Sequence, residues 1–195
     1  HEAARYAKQG GLSGLKLYGM VGLPTESDDD VEATADLLLA LKKETAGLRF
    51  TLGVSTFVPK AQTPFQWQGV RPEAEKRLKR LAKRLKPKGI EFRPESYGWS
   101  VIQALLSRSD RRLAPVIAAV GDAKDSMGGW KKVYRAALHG ELEPMPGADL
   151  PLPPPWQEVV HQEWSTSQVL PWNHLRTALS PEKLREHHDQ ALLLG

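Results

Sequence analysis

The sequence predicts an α/β protein whose parallel strands are followed by a mainly α-helical extension. Three observations predict it. Two apolar-rich runs, Leu15–Val21 and Phe50–Val58, flank a single helical pattern. Beyond residue 96 the apolar spacing becomes helical. Six prolines, Pro144, Pro146, Pro151, Pro153, Pro154 and Pro155, then crowd a stretch of 12 residues.

Taken in order, His1 to Gln9 reads as helix. It opens without an initiator methionine, as expected either of a processed or trimmed terminus or of a chain cut from a longer protein. Leu15–Val21, bounded by glycines, reads as a buried strand, and Gly22-Leu23-Pro24 forces a turn. The acidic run from Thr25 to Asp30 favours a helix start, because hydroxyls and carboxylates satisfy the first backbone N–H groups. Val31, Ala35, Leu38, Leu39 and Leu41 continue the helix on one face, and Gly47 ends it. Phe50–Val58 is rich in β-branched and aromatic residues, as strands are. Strand, helix and strand make a βαβ unit, hence a parallel pair with a right-handed crossover.

A loop over Pro59–Gly69 follows, then a helix over Arg71–Lys86 opened by Pro72, and a short third strand over Ile90–Arg93. Helices are expected over Trp99–Leu106, Arg111–Val120 and Gly129–Leu138. The prolines mark an extended linker. A short amphipathic helix carrying Trp156, Val159, Val160 and Trp164 comes next, and Pro181–Leu194 is the last helix. The expected divisions are 1–95 for the α/β part, 96–143 for a helical extension, 144–155 for the linker and 156–195 for a helical tail.

The chain has 195 residues, 41% hydrophobic and 26% charged, which suits one ordinary domain with an appendage. No run approaches the roughly 20 apolar residues of a membrane span, and no secretory segment is evident; a cytoplasmic location is the expectation. There is no cysteine, which excludes disulfides, zinc–thiolate sites and thiolate-held clusters within this chain.

The informative segment is Met20-Val21-Gly22-Leu23-Pro24-Thr25-Glu26-Ser27, a strand end, turn and helix start. Ligands of α/β sheets bind at such strand ends. Met20 and Val21 can face a flat heterocycle, and N–H groups at the helix start can meet an anion. The segment resembles the fifth-strand motif of the radical S-adenosylmethionine superfamily, in which Gly-(Leu/Phe)-Pro-Gly-Glu-(Thr/Ser) follows an apolar pair; Thr25 replaces the second glycine. Ser55-Thr56-Phe57-Val58-Pro59-Lys60, followed by Gln62-Thr63-Pro64-Phe65, is similar to the sixth strand and its outgoing loop.

The resemblance implies the C-terminal part of a partial (β/α) barrel of the TIM type. It implies that Met20, Val21, Gly22, Ser55, Thr56 and Phe57 line the adenine side of the cofactor, with Lys60 and Thr63 expected at the substrate mouth. The stretches Gln103–Arg112 and Leu170-Pro171-Trp172-Asn173-His174 resemble a subgroup with a cobalamin-binding-type domain ahead of the radical domain. The cofactors implied for the full-length parent are S-adenosylmethionine, a [4Fe–4S] cluster and, in that subgroup, cobalamin. The Cys-x-x-x-Cys-x-x-Cys loop of the superfamily is absent. A fragment inactive alone is therefore expected, whose partner is the missing N-terminal part and whose bare strand edges invite self-association.

The competing reading is a module that docks on nucleic acid or protein through residues 71–88, which carry nine basic and two acidic residues. An amphipathic helix with a solvated basic side explains the same pattern. Gly22–Ser27 lacks a P-loop lysine, and His187 and His188, being adjacent, cannot share a helix face. Asp110-Arg111-Arg112 reads as a helix-start network.

Overall fold

A computed structural model describes residues 1–121, 126–143 and 149–193. The chain divides into two compact units. His1–Phe57 with Arg71–Tyr97 forms the first; Val58–Val70 with the residues from Gly98 onward forms the second. The loop Val58–Val70 thus groups with the helical residues.

In the first unit α1 (Glu2–Gln9) precedes β1 (Gly14–Val21), α2 (Asp28–Glu44), β2 (Arg49–Thr56), α3 (Glu73–Leu85) and β3 (Glu91–Pro94). The strands form one parallel sheet in the order β1-β2-β3. Met20 pairs with Ser55 and Val21 with Thr56; Phe57 N–H donates to Val21 O at 2.8 Å, carrying the ladder one step further. Successive side chains of a strand point to opposite faces. Phe50, Leu52, Val54 and Thr56 of β2 are accordingly buried. Phe50, Leu52 and Val54 pack under Val31, Ala35, Leu38 and Leu41 of α2 and Ala74, Leu78, Leu81 and Leu85 of α3. The other face presents Lys16, Tyr18 and Met20 to solvent.

The hydroxyl that starts α2 is that of Ser27, in a reciprocal capping box with Asp30. α2 stops at Glu44, where Thr45 Oγ1 donates back to Leu41 O at 2.7 Å, and Gly47 then adopts φ +94°.

The second unit holds α4 (Tyr97–Arg108, entered from the first unit), α5 (Ala114–Gly121), α6 (Met127–Leu138), α7 (Trp156–Val160) and α8 (Pro181–Leu193). The helix expected over Arg111–Val120 begins instead as a 3-10 turn at Arg111–Leu113, capped by Asp110, and becomes α-helical only at Ala114. Trp164, expected on one helix with Trp156, lies beyond the end of α7 because its N–H goes to Trp67 O at 2.7 Å. Pro144 and Pro146 of the expected linker, and Leu194 of the expected last helix, lie outside the described residues. Pro151 to Pro155 have no regular structure, and the Tyr134 hydroxyl donates to Pro154 O at 2.7 Å. Trp67, Leu170, Trp172 and Leu184 form a separate apolar cluster, with Trp164 against it. Among the described residues no helix is long and apolar enough to cross a membrane.

Candidate functional site

The candidate site of the first unit is the C-terminal end of β1 and β2. Gly22 turns the chain at φ +83°, a conformation that side chains disfavour, and a Cβ there would stand 2.9 Å from Ala74 Cβ. Glycine is required on both counts. The Gly22 N–H donates to Glu26 Oε2 at 2.6 Å. The same carboxylate accepts from Arg77 Nη1 at 2.7 Å, while Arg77 Nη2 donates to Glu26 O at 2.8 Å and Nε to Asp28 Oδ1 at 3.1 Å. One arginine of α3 thereby pins the whole turn. Burial pulls the Arg77 guanidinium down, but Asp28 and Glu26 outweigh it and hold it above its ordinary value. The hydrogen bond from Arg77 holds Asp28 below its ordinary value. Ser27 N–H is likewise taken by Asp30 Oδ2 at 2.8 Å. At the helix start the Ser27 N–H, one of the groups expected to be open to an anion, is therefore satisfied by the chain's own carboxylate.

The pleat divides the six residues read as an adenine wall. Met20, 46% exposed, stands on the open face beside half-buried Ser55. Val21, only 2% exposed, and Thr56 belong to the helix-covered face. The Thr56 hydroxyl oxygen is buried without a hydrogen-bond partner among the described residues. Phe57 is buried. Lys60 and Thr63 fall in the second unit, where Thr63 Oγ1 donates to Lys60 O at 2.8 Å. Partial desolvation pulls the Lys60 ammonium below its ordinary value.

The basic helix has a local explanation. Arg80 pairs with Asp28 at 2.9 Å and reaches Glu32; Arg84 pairs with Glu32 and Asp36. With Arg77, three of the nine basic residues of 71–88 thus face the acidic side of α2. Glu26 stood in the quoted motif without a role of its own, and Arg77 was read only as part of the basic helix. The signal was there in the acidic spacing Asp28, Glu32, Asp36 and the basic residues Arg77, Arg80 and Arg84, each set recurring at three or four residues along one helix side. Among the described residues no group of three or more His, Cys, Asp or Glu is placed to hold a metal ion.

The fold and site define a mixed α/β chain with a three-stranded parallel sheet and a pinned strand–turn–helix. No family model matches it. No solved structure matches it either. The chain is 34% identical over 108 residues to an uncharacterized protein of Methanocaldococcus jannaschii. That match takes in 55% of this chain and 24% of the archaeal protein, so the chain spans about a quarter of that relative's length.

Proposed function

We propose that this chain is the C-terminal part of a radical S-adenosylmethionine enzyme, the last strands of a partial (β/α) barrel that contribute the adenine side of the cofactor pocket. One observation carries the reading: β1 and β2 run parallel and in register, Met20 against Ser55, with the Gly22 turn directly beyond. In this reading the open sheet face is the barrel interior, and strands of the missing N-terminal part cover the edge of β1.

The residues present fit the adenine end of the cofactor. Met20 offers an accessible, polarizable thioether suited to an aromatic ring. Ser55, half-buried, stands beside it on the same open face with a hydroxyl that can meet a ring nitrogen. They do not fit the iron–sulfur cluster, since the chain has no thiolate to hold iron. This chain alone is expected to be inactive. S-adenosylmethionine, when bound, supplies the adenosyl group; this chain's residues would pack its heterocycle and exclude water. Cobalamin rests on the resemblance of Gln103–Arg112 and Leu170–His174 alone.

The test is the protein of the complete reading frame, prepared without oxygen and reconstituted with iron and sulfide. A three-cysteine loop ahead of this segment, with reductant-dependent formation of 5′-deoxyadenosine, is the expected result. Met20→Ala should then raise the KM for S-adenosylmethionine. A complete protein without that loop, or one releasing no 5′-deoxyadenosine, overturns the proposal.

A further inference from the structure

We propose that the second unit carries a binding site for a small organic acid, one carboxylate on an apolar body, in the cleft where Arg108–Arg112 meets Leu170-Pro171. The two stretches lie some sixty residues apart in sequence, and both line one cavity of about 320 Å³. That volume is at the small end of ligand sites, roughly 300–1,000 Å³. A wider depression of about 590 Å³ shares Ser109, Asp110, Arg112 and Pro171 with it and adds Trp172 and His174. The segments singled out in the sequence as a pair of motifs are therefore a pair in space.

The charges decide the ligand. Arg112 is spoken for: its Nη2 and Nε donate to the two carboxylate oxygens of Asp110 at 2.7 and 2.9 Å. Arg108 is not. It is 1% exposed, and its Nη1 and Nη2 donate to Val159 O at 2.6 Å and Gln162 O at 2.9 Å. Its guanidinium lies 3.8 Å from the Trp164 ring centre. Carbonyls and a ring face offset part of the cost of a buried cation, but no carboxylate pairs with it among the described residues, and its Nε has no partner. Burial pulls the group down to about 10, so it stays charged at neutral pH. A cavity-lining cation with no carboxylate partner among the described residues calls for an anion.

The walls say what carries that anion. Leu113, Val159, Val169 and Leu170 are apolar, and Ser109 and Gln168 can meet a second oxygen. Glu158 also lines the cavity and disfavours a multiply charged ligand such as a phosphate more than a monoanion. A monoanion with an apolar tail satisfies both.

The test uses the full chain titrated with hexanoate and with its neutral isostere hexanamide, at constant chloride, following tryptophan emission. Hexanoate should saturate with a Kd on the order of 1 mM, and hexanamide should bind at least about tenfold more weakly. Val169, 79% exposed at the mouth, allows a variant that leaves Arg108 untouched; Val169→Phe should narrow the cleft and abolish saturation. Equal responses to acid and amide, no saturable response to hexanoate, or undiminished binding by Val169→Phe would each overturn the assignment and leave Arg108 as a clamp between α4 and the carbonyls of Val159 and Gln162.

Discussion

Arg77 and Glu26 meet at 2.7 Å with their side chains 10% and 9% exposed, and the carboxylate in turn holds the Gly22 N–H. A buried pair is costly to form and more costly to break, because the surviving charge has no water to turn to. Arg77→Ala should therefore destabilise the protein by roughly 3–5 kcal/mol. Glu26→Gln keeps an acceptor for Gly22 and should lose less, about 1–3 kcal/mol. Arg77→Lys should not rescue the loss, since a single ammonium cannot bridge Glu26 Oε2, Glu26 O and Asp28 together. Urea unfolding of the three variants checks this; a loss below about 1 kcal/mol for Arg77→Ala would mean that solvent screens the pair.

Gly22 is constrained twice, by its φ of +83° and by Ala74 Cβ. The backbone part costs an alanine roughly 1–2 kcal/mol. The contact adds to it, so Gly22→Ala should lose about 2 kcal/mol or more. The two causes separate in a double-mutant cycle. Ala74→Gly in the Gly22→Ala background should recover the contact part only, leaving a positive coupling between the sites. Strict additivity of the two substitutions would show that α3 moves aside and that φ alone matters.

The parallel pair was legible because its information is local: two short apolar runs, one helix between them, and glycine and proline at the turns. The third strand was legible for the same reason, although it starts at Glu91 and not at Ile90. What was not read was the consequence of the period. Met20 and Val21 are neighbours in sequence and so opposites in space, and the motif alone groups them. The role of Arg77 was hidden differently. A run of nine basic residues shows charge but not partners, and its acids lie some fifty residues away on α2. Trp164 was lost to a hydrogen bond from outside its own segment, which no helical periodicity contains.

Gly69 shows how closely the loop of the second unit packs on the chain after α7. A Cβ there would run into the His161 carbonyl, between Val70 N–H to Val160 O at 2.9 Å and Trp164 N–H to Trp67 O at 2.7 Å. The obstacle is backbone and cannot rotate away. Gly69→Ala should part the two segments at a cost of about 2–3 kcal/mol and expose Trp67 and Trp172, now buried. Acrylamide quenching of tryptophan should rise, and protease should cut between residues 156 and 172. Unchanged quenching with unchanged stability would show that the segments part without cost.

Asp110 gives the second unit an acid-sensitive term whose sign follows from its partner. The hydrogen bond from Arg112 holds the carboxyl below its ordinary value, against a smaller opposing effect of burial. A carboxyl whose folded value is depressed stabilises the fold above the unfolded value, near 4, and ceases to do so as pH falls through the folded one. The stability difference between the parent and Asp110→Asn should thus be greatest above about pH 5 and shrink as the pH drops below about 4. Arg112→Gln should remove most of the same acid dependence, because it removes its largest cause. Asparagine can still accept from the Arg112 backbone N–H at the start of the 3-10 turn. The cap therefore survives in Asp110→Asn, and only the charge is being measured. Urea midpoints from about pH 3 to 7 would carry the comparison; a parent-to-variant difference that stays constant over that range would mean that the pair contributes through its geometry and not through its charge.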